Sequence, residues 1–349
     1  MGGVLSTGAG GGGGPGPADI EDGLARFLTA HYGEPFTVGD LTPSSAGARR
    51  ANVLFDAQSP SRALRLVATI LPTVEIEINP ITAEAAVRTL AEEHGVPVPH
   101  VHAVCTDPGF VGGPFFVSDR VDGESVPRRV LRLVHGEGIG ERVAEQLGEA
   151  LGRLHAVDPA RAPDDLIDDR ADNPAEVALA GAETMMADLP LPRLALAFGI
   201  RWLERYLPPP PPRRTIVHTD VRNGNILVSA RGLEAVLDWE GAIRHGDPMQ
   251  DLAWPALRMW RFKEDEREIG GFAGREPFVA GYERAGGSFD AERFHWWKVL
   301  GTLRWALGLA GQSAAHLDGR FRSIVMAASG RRVPELEWDL LMLTRPPSP

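Results

Sequence analysis

Two hydrophobic periodicities divide this chain, and neither an all-helical nor an all-β fold accommodates both. Ahead of residue 125 the apolar residues fall in short β-type runs. Val53, Leu54 and Phe55 form one, Leu64, Leu66 and Ala68 alternate in the next, and GGPFFVSDRVDGESV is a third that ends in a polar turn near Asp122 and Gly123. Helical patterns accompany them at 18–31, where Ile20, Leu24, Phe27 and Leu28 share a face, and at 81–95, where Ala83, Ala86, Val87 and Leu90 do so before Gly95 stops the helix. Beyond residue 125 helices dominate: Val143, Leu147, Leu151 and Leu154 recur at spacings of four, four and three. The expectation is an α+β chain in which a small antiparallel-sheet lobe with a helix precedes a larger, mainly helical one. At 349 residues the chain exceeds the length, roughly 250–300, at which one core stops growing.

Composition narrows the function classes. A hydrophobic share of 43% with 24% charged residues is that of an ordinary globular protein, and no apolar run is long enough to span a bilayer. A net charge of -11 argues against nucleic acid as a partner, because affinity for it comes largely from Lys and Arg neutralising phosphates. Cys105 stands alone, which excludes an internal disulfide and a four-thiolate zinc site and fits a reducing cytoplasm. Residues 1–17 read as a flexible Gly-rich tail without the charged start and apolar stretch of a secretory signal. Met1, Gly2 and Ser6 match the N-myristoylation pattern by coincidence of that composition.

The chemistry concentrates in HTDVRNGNILVSARGLEAVLDWE, residues 218–240. Short apolar runs at 215–217, 226–228 and 235–237 hold a polar loop and deliver Asp238. Asp220 can accept or orient a hydroxyl proton, while the amide oxygen of Asn225 and the carboxylate of Asp238 are hard donors of the kind magnesium prefers. A base beside two magnesium ligands is what phosphoryl transfer asks of a protein.

The ordered pair H-x-D-x-x-x-x-N and D-W-E resembles the catalytic and metal-binding loops of the aminoglycoside phosphotransferase family, which has a two-lobed, protein-kinase-like fold. SAGARRANVLFD is similar to that family's nucleotide loop, PFFVSDRVDGE to the approach to its inter-lobe hinge, LGRLHAVDP to its long helix, and GDPMQDLAW to the segment after its metal Asp. GRRVPELEWDLL resembles the C-terminal helix of the branch related to kinase-like domains fused to acyl-CoA dehydrogenases. The resemblance implies a nucleotide-binding N-lobe at 18–118 and a catalytic, acceptor-binding C-lobe at 119–349. It implies ATP and Mg2+ as cofactors and a small-molecule hydroxyl as acceptor. Asp220 becomes the catalytic base, and Asn225 and Asp238 the metal ligands. Backbone around Val117 to Asp119 would hold adenine, Gly47 would cover the phosphates, and Glu84 would be the acid that pairs with a phosphate-binding cation.

The chain departs from the family pattern at that cation. Its first lysine is Lys263, so Arg65 is the candidate, and a planar guanidinium is not equivalent to an ammonium. This keeps a nucleotide-binding pseudokinase as the alternative to an active small-molecule kinase. Arg222 and Asn223 replace the His-Pro of many relatives. A hydrolase built on His218 and Asp220 ranks third, since no second His stands at ligand spacing. Glu240 reads equally as a group facing the site or as a surface carboxylate. Asp247 and Asp251 read as loop braces or helix caps, and the tryptophans of FHWWKVLGTLRWALGLAG as core.

Overall fold

The computed structural model describes residues 16–43, 50–71, 77–168, 171–320 and 322–345. Gly47 lies outside them. The chain forms two compact units: the described residues within Met1–Glu77 together with His100–Arg120, and those within Ile78–Pro99 together with Val121–Pro349.

The first unit is a sheet covered by a helix. Helix α1 (Pro17–Tyr32) starts with a proline at its first position and the Asp19 carboxylate bonded back to the Gly16 N–H, and it ends at Gly33 with φ 73°. Strands β1 (Thr37–Pro43), β2 (Ala51–Gln58), β3 (Ala63–Ile70), β4 (Val101–Cys105) and β5 (Phe115–Asp119) line up as β1-β2-β3-β5-β4, with antiparallel neighbours throughout. Leu24, Phe27 and Leu28 of α1 pack with Phe55, Leu66, Ala68, Phe115 and Val117, so the alternation read in the sequence is the pleat. Leu66 is buried and Arg65, its neighbour in the strand, is exposed.

The second unit gathers α2 (Ile81–Glu93), α3 (Pro127–Gly136), α4 (Gly140–Ala156), α5 (Pro174–Ala187), α6 (Leu194–Arg205), α7 (Pro248–Ala253), α8 (Arg275–Arg284), α9 (Ala291–Leu317), α10 (Ile324–Ser329) and α11 (Val333–Leu343). Two short antiparallel pairs complete it, β6 (Thr215–Val217) with β9 (Ile243–Gly246) and β7 (Ile226–Ser229) with β8 (Gly232–Val236). The first unit ends at Arg120. Helix α2 nevertheless groups with the second unit, because Ala83, Val87, Leu90 and Ala91 join the large core that also holds Leu147, Leu151 and Leu154 of α4. Helices α4 and α8 meet through reciprocal glycines: a Cβ on Gly148 would stand 2.0 Å from the Phe278 carbonyl oxygen, and one on Gly281 2.0 Å from that of Glu145. Only bare backbone permits that approach.

Candidate active site

The loop between β6 and β7 and the turn after β8 carry the three groups singled out in the sequence, and the fold brings them into hydrogen-bond contact. Asn225 Nδ2 donates to Asp220 Oδ2 at 2.6 Å, to the Asp220 carbonyl at 3.0 Å and to Asp238 Oδ2 at 3.4 Å. Asn225 is buried and the Asp238 carboxylate is exposed, so the cluster opens to solvent on the aspartate side. With its amide nitrogen turned to the two carboxylates, Asn225 keeps its oxygen for another partner.

Backbone strain accompanies this arrangement. Thr219 has φ 73° and Asp238 φ 66°, left-handed values that L side chains adopt at a cost and that cluster at functional sites. Buried carboxyl and amide groups hold them. Asp251, fully buried, accepts from the His218 N–H at 2.7 Å, from the Thr219 N–H at 2.6 Å and bonds His155 Nε2 at 3.1 Å. Thr219 Oγ1 donates to the Gly241 carbonyl at 2.9 Å. Asn79, also fully buried, donates to the carbonyls of Glu240 and Ala242 and accepts from the Ile167 N–H, which fixes the turn after Asp238. Asp247 caps α7 through the Met249 N–H and pairs with Arg293 at 2.9 Å. Asp247 and Asp251 are therefore braces, as read.

Both ring nitrogens of His218 are engaged. Nε2 lies 2.9 Å from the Leu237 carbonyl and so donates, while Nδ1 receives the Asp220 N–H at 3.3 Å. Packed at a tilt with its ring centroid 4.6 Å from that of buried Trp239, this histidine supports the loop and has no lone pair left for a metal. That removes the basis of the hydrolase reading.

Asp220 is shaped by groups the sequence reading did not assign. Its Oδ1 accepts from Trp254 Nε1 at 2.7 Å and from Arg222 Nε at 3.1 Å. Although 29% of its side chain is exposed, burial is the largest influence on its carboxyl and pushes the pKa above the usual aspartate range. The Arg222 charge opposes the shift, the Asp238 charge adds to it, and His218 and the Trp254 hydrogen bond oppose it. Three of about four lone-pair positions on the carboxylate are used, so one remains for an incoming O–H. Arg222 also lies 4.6 Å over the ring of Trp260, which packs with Trp254 and Trp305. Trp296, Trp297 and Trp305 of α9 belong to the large core or pack against it, as expected, and Trp254 also donates to the Asp220 carboxylate. Its place at the end of GDPMQDLAW was the available signal.

The donor set suits magnesium. Among the described residues no group of three or more His, Cys, Asp or Glu side chains stands ready for a metal. Magnesium is commonly bound by one or two carboxylates together with water and substrate phosphates; the exposed Asp238 carboxylate is such a donor, and Asn225, whose amide nitrogen here faces Asp238 Oδ2 at 3.4 Å, presents its oxygen to a shared ion once the amide turns over.

The remaining expected residues are distributed as follows. Arg65 is on β3 of the sheet unit, opposite Asp56 in the ladder. Glu84 is on α2 of the helical unit and only 2% exposed, so it is not a solvated helix Glu. Val117 lies inside β5, which pairs with both β3 and β4. At the strand's exit the Asp119 N–H donates to the His100 carbonyl, and its carboxylate bonds His102 Nε2 at 2.6 Å. Glu240 is half-buried and has an interaction partner of its own.

Comparison with known proteins places this geometry in a family. Residues 40–297 match the model of the phosphotransferase enzyme family. Acyl-CoA dehydrogenase family member 10 of Mus musculus is 26% identical over 291 residues, which cover 78% of this chain and 26% of that protein. The chain thus spans about a quarter of the length of this relative. A Ralstonia eutropha structure assigned as an aminoglycoside phosphotransferase superposes with a TM-score of 0.67 at 18% identity, covering 92% of this chain and 97% of the other. A thermostable mutant of another aminoglycoside phosphotransferase, in a ternary complex with ADP and hygromycin B, gives 0.55 at 16% identity over 90% of this chain and 98% of its own. The α+β fold is therefore protein-kinase-like.

Proposed function

Because the chain belongs to the phosphotransferase enzyme family, we propose that it transfers the γ-phosphoryl group of ATP to a hydroxyl of a small molecule, with magnesium as cofactor. The observation that carries this reading is the convergence of Asp220, Asn225 and Asp238, with a carboxylate whose pKa is raised and whose remaining lone pair is open. Asp220 orients the acceptor hydroxyl and takes its proton. The hydroxyl oxygen forms the new bond to phosphorus, the bond from phosphorus to the bridging oxygen breaks, and ADP leaves with that electron pair. Trp254 and Arg222 hold the carboxylate in one orientation. Asn225 and Asp238 would hold magnesium, which when bound neutralises charge on the phosphates. Adenine falls to backbone around Val117 to Asp119 and the phosphates to Gly47 and Arg65, with Glu84 as the buried acid of the nucleotide side. In this reading 18–118 is the nucleotide-binding lobe and 119–349 the catalytic, acceptor-binding lobe.

The lone Cys105 suits a reducing cytoplasm. Among the described residues no helix is long and apolar enough to cross a membrane, and neither membrane nor nucleic acid enters the reading.

Arg65 favours a second reading, a pseudokinase that binds nucleotide without turnover, since the strand position expected to carry lysine carries arginine. One experiment separates the two. ATP affinity is measured by calorimetry alongside phosphoryl transfer to a broad alcohol panel, in wild type and Asp220→Asn. Transfer that the variant abolishes supports the kinase; tight ATP binding with no transfer to any alcohol supports the pseudokinase.

A further inference from the structure

A cavity of about 240 Å3 opens within the helical unit between α5, β9, α7 and α9. Its walls include Ala178, Gly181 and Met185 of α5, Ile243 of β9, Gln250 of α7 and Arg304 of α9. Gln250 is 8% exposed, and among the described residues its side-chain amide has no hydrogen-bond partner. Beside Arg304, on walls otherwise small or apolar, this amide offers the cavity a donor and an acceptor for a ligand's polar group.

One residue of the lining stands a helical turn from the machinery around Asp220. Gln250 and Trp254 are four residues apart on one face of α7 and its continuation, and Trp254 Nε1 holds Asp220 Oδ1. The Trp254 ring lies against Gly301, where an added Cβ would meet it at 3.3 Å, and Gly301 is one turn before Arg304 on α9.

The lining contains no carboxylate, its one charged residue is Arg304, and its other walls are small or apolar apart from Gln250. A polycation such as an aminoglycoside would find no counter-charge there. The volume is also below the roughly 300–1,000 Å3 of pockets that enclose drug-sized ligands.

We propose that this cavity is the acceptor subsite and that it selects a small, uncharged, mainly aliphatic alcohol whose one further polar group pairs with the Gln250 amide. The inference rests on the phosphotransfer reading. In it Gln250 is a specificity residue, and the proton and phosphoryl group move as described for Asp220.

Gly181→Leu is the deciding variant. A Cβ at Gly181 meets nothing within 4 Å, and leucine favours a helix interior over glycine, so the substitution fills the mouth of the cavity while keeping α5 intact. Binding is measured by calorimetry without nucleotide, using linear and branched alcohols, diols and hydroxyamides of about four to eight carbons, with kanamycin as the polycation. At least one alcohol binds the wild type. It loses more than about tenfold in affinity in Gly181→Leu, whose melting temperature is unchanged or higher. Gln250→Leu weakens the diols and hydroxyamides more than the simple alcohols, and kanamycin does not bind. Alcohol binding unchanged in Gly181→Leu, kanamycin binding abolished by it, or no bound alcohol in the panel overturns the proposal. Transfer from ATP to an alcohol at an undiminished rate in Gly181→Leu overturns the subsite and leaves the kinase reading standing. Binding sensitive to Gly181→Leu with no transfer removes the acceptor role together with that reading.

Discussion

The loop from His218 to Glu240 and the strands that carry Arg65 and Val117 to Asp119 would, in the proposed function, work through different atoms. In the loop the working groups are side chains, each fixed by a buried partner: Asp220 by Trp254, Arg222 and Asn225, and the backbone beneath it by Asp251. In the sheet unit the groups of interest are backbone atoms at the exit of β5 and one exposed arginine on β3. Side-chain chemistry demands particular residue types at particular spacings. Backbone chemistry demands only a strand that ends in the right place, which many sequences satisfy.

Four measurements break or sharpen this contrast. The largest effect is expected at Asp220→Asn, with turnover lower by roughly 10²–10⁴-fold and ATP affinity nearly intact, as for the loss of a general base. Near-normal turnover would show that the loop does not carry the reaction. Next is Asp251→Ala, which strands the His218 and Thr219 N–H groups in a buried setting. Denaturant titration should show a loss of about 2–5 kcal/mol, and a loss well under about 1 kcal/mol would mean that the loop does not depend on this brace.

The third concerns pH. Protonated Asp220 cannot take the acceptor proton, so kcat/KM falls as pH drops through its pKa, and that acid limb lies above the ordinary aspartate range because the folded protein raises the pKa. Arg222 opposes the shift, so Arg222→Met should move the limb to still higher pH. A limb that stays or moves down refutes the coupling. The smallest effect belongs to the sheet. Arg65→Lys should alter the KM for ATP by less than about threefold, and Arg65→Met should raise it by about tenfold. Equal values for all three proteins would make Arg65 an ordinary strand residue.

Sequence legibility follows the same division. Asp220, Asn225 and Asp238 could be assigned because strands only a few residues long separate them and leave little freedom in where they meet. Arg222 was visible as a departure without a role, since its function depends on Trp260 beneath it, and Trp254 reaches Asp220 across 34 residues. The supports were the least visible. Asn79 grips a turn 161 residues away, and nothing in its local pattern announces a buried amide. The sheet was read from short apolar runs at β2 and β5 and from the alternation at β3. The edge strands β1 and β4 went unassigned because their apolar content is short and interrupted, and β1 is mostly exposed.

The left-handed backbone at Thr219 and Asp238 bears on any attempt to make a hardier version of this protein. A library screened for survival on heating would reward glycine at 219, where a β-branched residue at φ 73° costs on the order of 1–3 kcal/mol. It would equally accept asparagine at 238, which adopts that conformation readily and carries no charge. Winners of such a screen would outlast their parent while losing the Thr219 tether to Gly241 and the carboxylate proposed to hold the cation. The two positions to hold constant are those a heat screen is most inclined to change.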